Sequence, residues 1–583
     1  MKPLFALLLT AIAAFAAEPE DFHSLLDREW DYSMKESPTT ASLLGDRRWN
    51  DRWPDLSVEA MTRRNEHAKE LLVALDAIRR AGLSAKDQVS YDLLRFETEL
   101  GIDEFSSRLW TLPINQRDGI QLADDFAGAL RFETVKDYEE WIARLRALPS
   151  QVDQTIALMR IGIAEKRTHA RQVMEPVPGQ IRKQVVANAA ESPFYEAFKR
   201  WPAAIGDADR ARLGAEARSA IEEQVVPAYR RLGDFFEREY QPACTEQVGA
   251  WQWPDGEAVY AFAARKFTTT RMTPREIHEL GLREVERITA GMDRIIEQVG
   301  WKGSRIEFFE HLRGDKRFYC KTPEELLEAY RATAKMIDPT LVKVFKTLPR
   351  TPYGVEAIPA NVAPNTTAAY YRPLAADGSR AGTFFVNLYR PQMRPRYEMM
   401  ALAMHEAVPG HHLQFAIAFE QGNLPNFRRY GDGAYTAFVE GWALYSESLG
   451  DELGLYDDPY SKFGQLTYEI WRACRLVVDT GMHTMKWTRQ QAIDYLLNHS
   501  AKTVLDVENE IDRYISWPGQ ALAYKIGELK IKELRARAAK TLGEKFDVRE
   551  FHDMLLKEGA LPLEVLESQT DGWIEKVRQS ARQ

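Results

Sequence analysis

Residues Met404-His405-Glu406-Ala407-Val408-Pro409-Gly410-His411-His412-Leu413-Gln414 put three of the chain's eleven histidines within eight positions, with a glutamate directly after the first. Zinc-assisted hydrolysis needs three protein ligands, an open position for water and a carboxylate to take the water's proton. In the common H-E-x-x-H helix the two histidines share a face and the glutamate points at the open position. Here the fifth residue is Pro409, so that spacing fails. On an unbroken helix His412 would lie about 10 Å of rise from His405, and His411 would point to the other side. Pro409 has no amide hydrogen and Gly410 tolerates unusual dihedrals, so a two-residue bulge would bring His411 to the place of the second histidine. His405 and His411 are therefore the expected ligands and Glu406 the expected general base, with His412 as the fallback ligand. The third ligand is sought in Phe438-Val439-Glu440-Gly441-Trp442-Ala443-Leu444-Tyr445-Ser446-Glu447. Glu440 is the choice, because an acid in an apolar stretch is costly unless paired or metal-bound. Glu447 is either a supporting residue behind the ligands or solvated. One zinc ion is the expected cofactor.

These residues must be held by helices. From Asp21 to about Phe236 apolar residues recur at i, i+3, i+4, as in Ala68, Leu71, Leu72 and Leu75 or Trp141, Ile142, Leu145 and Leu148. The pattern breaks between Pro242 and Pro254, where a soft boundary is placed between an N-terminal helical region, 18–250, and a zinc-binding region, 251–583. The two are expected to form one continuous globular unit. Thr273-Pro274-Arg275-Glu276 and Thr322-Pro323-Glu324-Glu325 read as helix starts. Gly382 to Leu388 is the best strand candidate, just before the helical segment Arg396 to Ala407 that carries His405. The expected fold class is mainly α, with a small β-sheet next to the metal-binding helix.

With 583 residues, 45% hydrophobic and 28% charged, the chain has material for a large core. Its formal charge of -9 comes from scattered acids and bases, so no basic stripe awaits a nucleic acid. Residues 1–17 combine a lysine, a short apolar run and small residues at Ala14-Phe15-Ala16, the pattern of a secretory signal peptide. The mature chain is expected in the periplasm or secreted, with no stable membrane insertion and, lacking a cysteine at the cleavage site, no lipid anchor. Cys244, Cys320 and Cys474 leave at least one thiol unpaired; one bridge or three buried thiols are both open.

The motif residues resemble a large bacterial family catalogued as domain of unknown function 885. Its pattern H-E-x-x-P-G-H-x-x-Q matches His405, Glu406, Pro409, Gly410, His411 and Gln414, and its E-G-W-A-x-Y-x-E segment matches Glu440 to Glu447. The likeness extends to Arg475–His483 and Tyr514–Lys525. The family looks like a distant branch of the gluzincin metallopeptidases, which take zinc from two histidines and a downstream glutamate. That resemblance implies a mostly helical metallopeptidase-like fold.

The leading expectation is an exported zinc metallopeptidase hydrolysing short peptides in the manner of a carboxypeptidase or dipeptidase. Tyr524 is the expected oxyanion donor, with Tyr514 and His483 as alternatives. The edge of the strand Gly382–Leu388, with Asn387, is expected to hold an extended peptide. Lys525, Arg513 and Arg475 either bind a substrate's terminal carboxylate or neutralise Asp512 and Asp479. Gln414, Glu447 and His412 complete the set as supporting residues. Two other readings stay open: a zinc hydrolase of a non-peptide amide or ester, and a non-catalytic periplasmic binding or scaffold protein. The oligomeric state is left open.

Overall fold

The computed structural model describes residues 22–360, 363–375, 378, 380–431 and 435–580; the expected signal peptide lies outside them. Helix makes up 72% of the structure, and the sheet has three strands. The chain divides into two compact units, one running to Val248 with Gln252–Gly256, the other comprising Gly249–Trp251 and Glu257 onward.

The first unit is helical. α1 (Val58–Asp76) and α2 (Ala85–Ser107) start at Ser57 and Ser84, whose hydroxyls accept the amides of Ala60 and Asp87. Each cap satisfies an amide that would otherwise lack a partner. α3 (Val135–Ala164) opens with a reciprocal box between Thr134 and Asp137 and buries the stripe Trp141, Ile142, Leu145 and Leu148.

The second unit carries the motif. α4 (Pro274–Gln298) begins at the box between Thr273 and Glu276, and α5 (Pro323–Ile337) begins at Thr322, which accepts the Glu325 amide. The sheet follows, with β1 (Tyr353–Ala357), β2 (Ala369–Arg372) and β3 (Gly382–Val386) in the order β1-β3-β2. β1 runs parallel to β3, pairing Tyr353 with Gly382, and β2 antiparallel, pairing Arg372 with Thr383. The expectation that Gly382–Leu388 offers a free edge is thus corrected. All five residues of β3 are buried and the strand is paired on both sides, as a run apolar on both faces demands.

α6 (Met399–Glu406) and α7 (His411–Glu420) lie beside the sheet, and α8 (Thr436–Ser448) follows. α9 (Pro459–Thr484) packs along α4 and is buried almost all round from Phe463 to His483. Its polar side chains therefore have to find partners inside the protein. α10 (Val504–Ser516) and α11 (Ala523–Leu542) complete the surroundings. α8 crosses α11 where two glycines meet: a Cβ on Gly441 would stand 2.5 Å from the Gly527 backbone. That close approach sets Glu440, the neighbour of Gly441, near the first turn of α11. All three cysteines are unpaired and buried. Among the described residues no helix is long and apolar enough to cross a membrane.

Candidate metal centre

The expected bulge is a full break. α6 ends at Glu406, Ala407 leaves helical geometry with ψ -111°, the Val408–Pro409 peptide is cis, and α7 starts at His411. Gly410 makes the reversal tight. A Cβ there would fall 1.9 Å from the His405 carbonyl oxygen and 2.4 Å from that of Met404, so the second helix starts directly against the end of the first. Trp442 Nε1 donates to the Pro409 carbonyl at 2.9 Å, tying the turn to α8. The result sets the His405 and His411 rings 4.9 Å apart at an angle of 84°.

Glu440 closes the group. Its Oε2 lies 3.5 Å from Nε2 of His405 and 3.5 Å from Nε2 of His411. Ligand atoms placed tetrahedrally at about 2.0–2.1 Å from one ion are separated by about 3.3 Å, so this spacing suits a shared cation. Among the described residues these three form a group that could hold a metal ion. The electrostatics agree. Burial alone would raise the Glu440 carboxyl, but the adjacent His405 and His411 imidazoles outweigh it and hold the group well below the usual carboxylate range. Burial would lower the His405 imidazole, yet Glu440 and Glu447 carry it up to about 9. Such a pocket attracts positive charge. Glu440 Oε2 and His411 Nδ1 are buried without hydrogen-bond partners, and an orphaned polar atom in the interior needs a reason. Glu406, the residue after His405, is buried, and its charge acts on that imidazole.

Glu447 lies behind the ligands. Fully buried, it takes the His405 Nδ1 hydrogen at 2.8 Å, which leaves Nε2 facing Glu440. Arg472 of α9 stands 3.4 Å from the same Glu447 oxygen, and Tyr456 Oη donates to the Glu447 backbone carbonyl at 2.7 Å. Arg472 and Tyr456 had not been singled out in the sequence. Arg472 carries a signal in retrospect: a charge inside the apolar stretch of a long helix.

The other expected residues divide by position. His412 points away from the group; its Nε2 donates to the Thr351 carbonyl at 3.0 Å and its Nδ1 accepts from Tyr371 Oη at 2.9 Å. Burial lowers its pKa to about 4, which keeps it neutral. His483 is not placed as an oxyanion donor, since Nδ1 accepts the Ala250 amide and Nε2 donates to the Tyr514 carbonyl, both at 3.0 Å. The Tyr514 hydroxyl is also occupied. It accepts from Arg475 Nε at 2.7 Å and Trp471 Nε1 at 3.1 Å and donates to Glu510 at 2.8 Å. Tyr524 is different, being partly exposed and within electrostatic reach of Glu440. Burial and then the Glu440 charge push its phenol up, so it keeps its proton.

Lys525 is fully buried among Glu284, Glu469 and Glu528, at 3.2, 2.9 and 2.6 Å. It serves the junction of α4, α9 and α11 and has no reach to a substrate. Asn387 is likewise structural. Its amide nitrogen donates to the carbonyls of Ala363, Thr366 and Thr367, and its oxygen accepts the Tyr389 amide, so it pins the loop beside β3. Arg513 and Arg475 converge on Glu510. Asp512 is paired instead with Arg489. Gln414, one turn beyond His411, is buried with both amide atoms unpartnered.

Fold and site together define a mainly helical protein in which three helices gather two imidazoles and a carboxylate around one point. The chain belongs to the family described as "Bacterial protein of unknown function (DUF885)", whose model matches residues 38–570. Among solved structures it is similar to a chain from Colwellia psychrerythraea, described as a "putative lipoprotein". The two are 29% identical, with a TM-score of 0.89, over 96% of this chain and 99% of that one. A chain from Shewanella oneidensis, described as a "putative lipoprotein of unknown function", shares the fold at 15% identity and a TM-score of 0.66, over 94% and 99% of the two chains. No curated protein matches at a significant level.

Proposed function

We propose that this protein is an exported, zinc-dependent hydrolase of peptide bonds in short peptides, a distant relative of the gluzincins. The observation that carries the reading is the equal 3.5 Å approach of both imidazole Nε2 atoms to Glu440, with Glu406 directly after the first ligand. Two nitrogens and one carboxylate oxygen make a donor set suited to zinc, with a position left for water. When bound, zinc would supply Lewis acidity to a carbonyl and make a water acidic enough to lose its proton near neutral pH.

The chain's own groups do the rest. Glu406 receives the proton of the attacking water and passes it to the leaving nitrogen as the C–N bond breaks, yielding a carboxylic acid and an amine. Tyr524, held protonated by burial and the Glu440 charge, donates a hydrogen bond to the oxyanion that develops on the carbonyl. Glu447 keeps the His405 ring in one tautomer. The ligand side chains are only 4%, 10% and 18% exposed, which favours short substrates over folded proteins. Export is supported by the description of the Colwellia psychrerythraea relative as a "putative lipoprotein".

The test is Glu406→Gln. The variant is expected to retain one zinc per chain by elemental analysis and to lose turnover of a peptide mixture by about 100-fold or more. Full turnover in a pure sample of the variant overturns the assignment.

A further inference from the structure

Arg475 lies one turn along α9 from Arg472, about 4.5 Å of rise from the residue that faces Glu447. Its side chain is 4% exposed. Nε donates to Tyr514 and Nη2 to Glu510 at 3.0 Å, but Nη1 is buried with no acceptor. Arg513 shares the same Glu510 oxygen at 2.8 Å and donates its Nη1 to Gln520. Among the described residues two buried guanidiniums thus have one carboxylate between them. Asp479 is within electrostatic reach of both guanidiniums but pairs with neither. Its Oδ1 accepts from Tyr260 Oη and the Gly519 amide at 2.6 and 3.1 Å, and burial pushes the carboxyl up to about 7. The contrast with Lys525 is direct, because there Lys525, Arg287 and Lys532 meet Glu284, Glu469 and Glu528 with no surplus.

A surplus buried positive charge is costly unless an anion joins it. The Arg475 guanidinium lies 4.2 Å from the centre of the Tyr524 ring, and Tyr524 feels the charge of Glu440. Tyr524, Gln520 and Trp471 around it are partly exposed, whereas Arg475 and Arg513 are not. An anion therefore approaches past the tyrosine assigned to the oxyanion.

We propose that Arg475 Nη1, backed by Arg513, receives the C-terminal carboxylate of the substrate, so that the site takes peptides with a free C-terminus. This rests on the hydrolase reading above. Guanidinium and carboxylate match in planarity and charge, and an amide in place of the carboxylate would leave the surplus charge unmet.

The test separates binding from turnover. Zinc-loaded, full-length Glu406→Gln protein is titrated by calorimetry with an N-acetylated tripeptide and with its C-terminal amide, and the same pair is offered to the wild type for cleavage. The acid is expected to bind about 10- to 100-fold more tightly than the amide, the usual worth of a charge-assisted hydrogen bond. Adding Arg475→Met, or Arg475→Lys, which keeps the charge but loses the fork, is expected to shrink that preference to less than about threefold. Equal binding of acid and amide, failure to bind either, or a preference that survives in both variants overturns the proposal. Cleavage of the amide as fast as the acid removes the C-terminal assignment and leaves the hydrolase standing. Acid preference in binding with no turnover of either peptide supports the carboxylate site and sinks the hydrolase reading.

Discussion

Glu447 holds the Nδ1 hydrogen of His405 at 2.8 Å while being fully buried itself, so the orientation of a ligand ring is decided by a residue from another helix. Arg472 and Tyr456 in turn contact Glu447 from outside the group. Supporting partners of this kind fix the tautomer and raise the basicity of the ligating nitrogen. Glu447→Ala is expected to weaken zinc affinity by about 10- to 100-fold, and Glu447→Gln by less. Competition with a chromogenic chelator measures this, and unchanged affinity in a folded Glu447→Ala protein refutes it.

Gly410 is expected to tolerate no side chain. The Cβ of Gly410→Ala would meet the carbonyl oxygens of His405 and Met404, which are backbone and cannot swing away. A destabilisation of about 1–3 kcal/mol or more is expected, read as a lowered Tm, together with loss of stoichiometric zinc. A variant that melts like wild type and binds one zinc refutes the close-packed turn.

Tyr524→Phe removes the hydroxyl and keeps the ring that stacks on Arg475. A drop of about 10²- to 10³-fold in kcat is expected, with KM little changed, as for loss of one oxyanion donor. Steady-state kinetics on an N-acetylated peptide reads both constants; an unchanged kcat removes Tyr524 from the chemistry.

Asp479 makes stability depend on pH. Burial raises its carboxyl from 3.8 to about 7, so between those values the folded protein keeps a proton that the unfolded chain releases. Stability from this group is complete below the lower value and is lost as pH rises through the upper one, with a span on the order of a few kcal/mol. Asp479→Asn is expected to gain in Tm relative to wild type as pH goes from about 4 to about 7, and to hold a constant difference above that. A difference independent of pH refutes the assignment.

Much of the architecture was readable along the chain because it is local. The stripe Trp141, Ile142, Leu145 and Leu148 and the capping residues Thr273 and Thr322 act over a few positions, and residue type is enough to identify them. The strand at Gly382 was also visible, but its place between β1 and β2 was not, because an apolar run says nothing about which neighbours pair with it.

The candidate site divides in the same way. Sequence by itself singled out His405, Glu406 and Glu440 by type and surroundings, and marked Pro409 and Gly410 as the place for a local bulge in the helix. Only the tertiary structure decided that the interruption turns His411 inward and sends His412 to Thr351 and Tyr371. It also occupied Tyr514, His483, Asn387 and Lys525 with internal partners while leaving Arg475 one acceptor short. The physical reason is that α9 is buried on nearly every side: each of its polar groups must be matched by a group distant in the chain, and such matching is set by packing, to which residue type and spacing are blind.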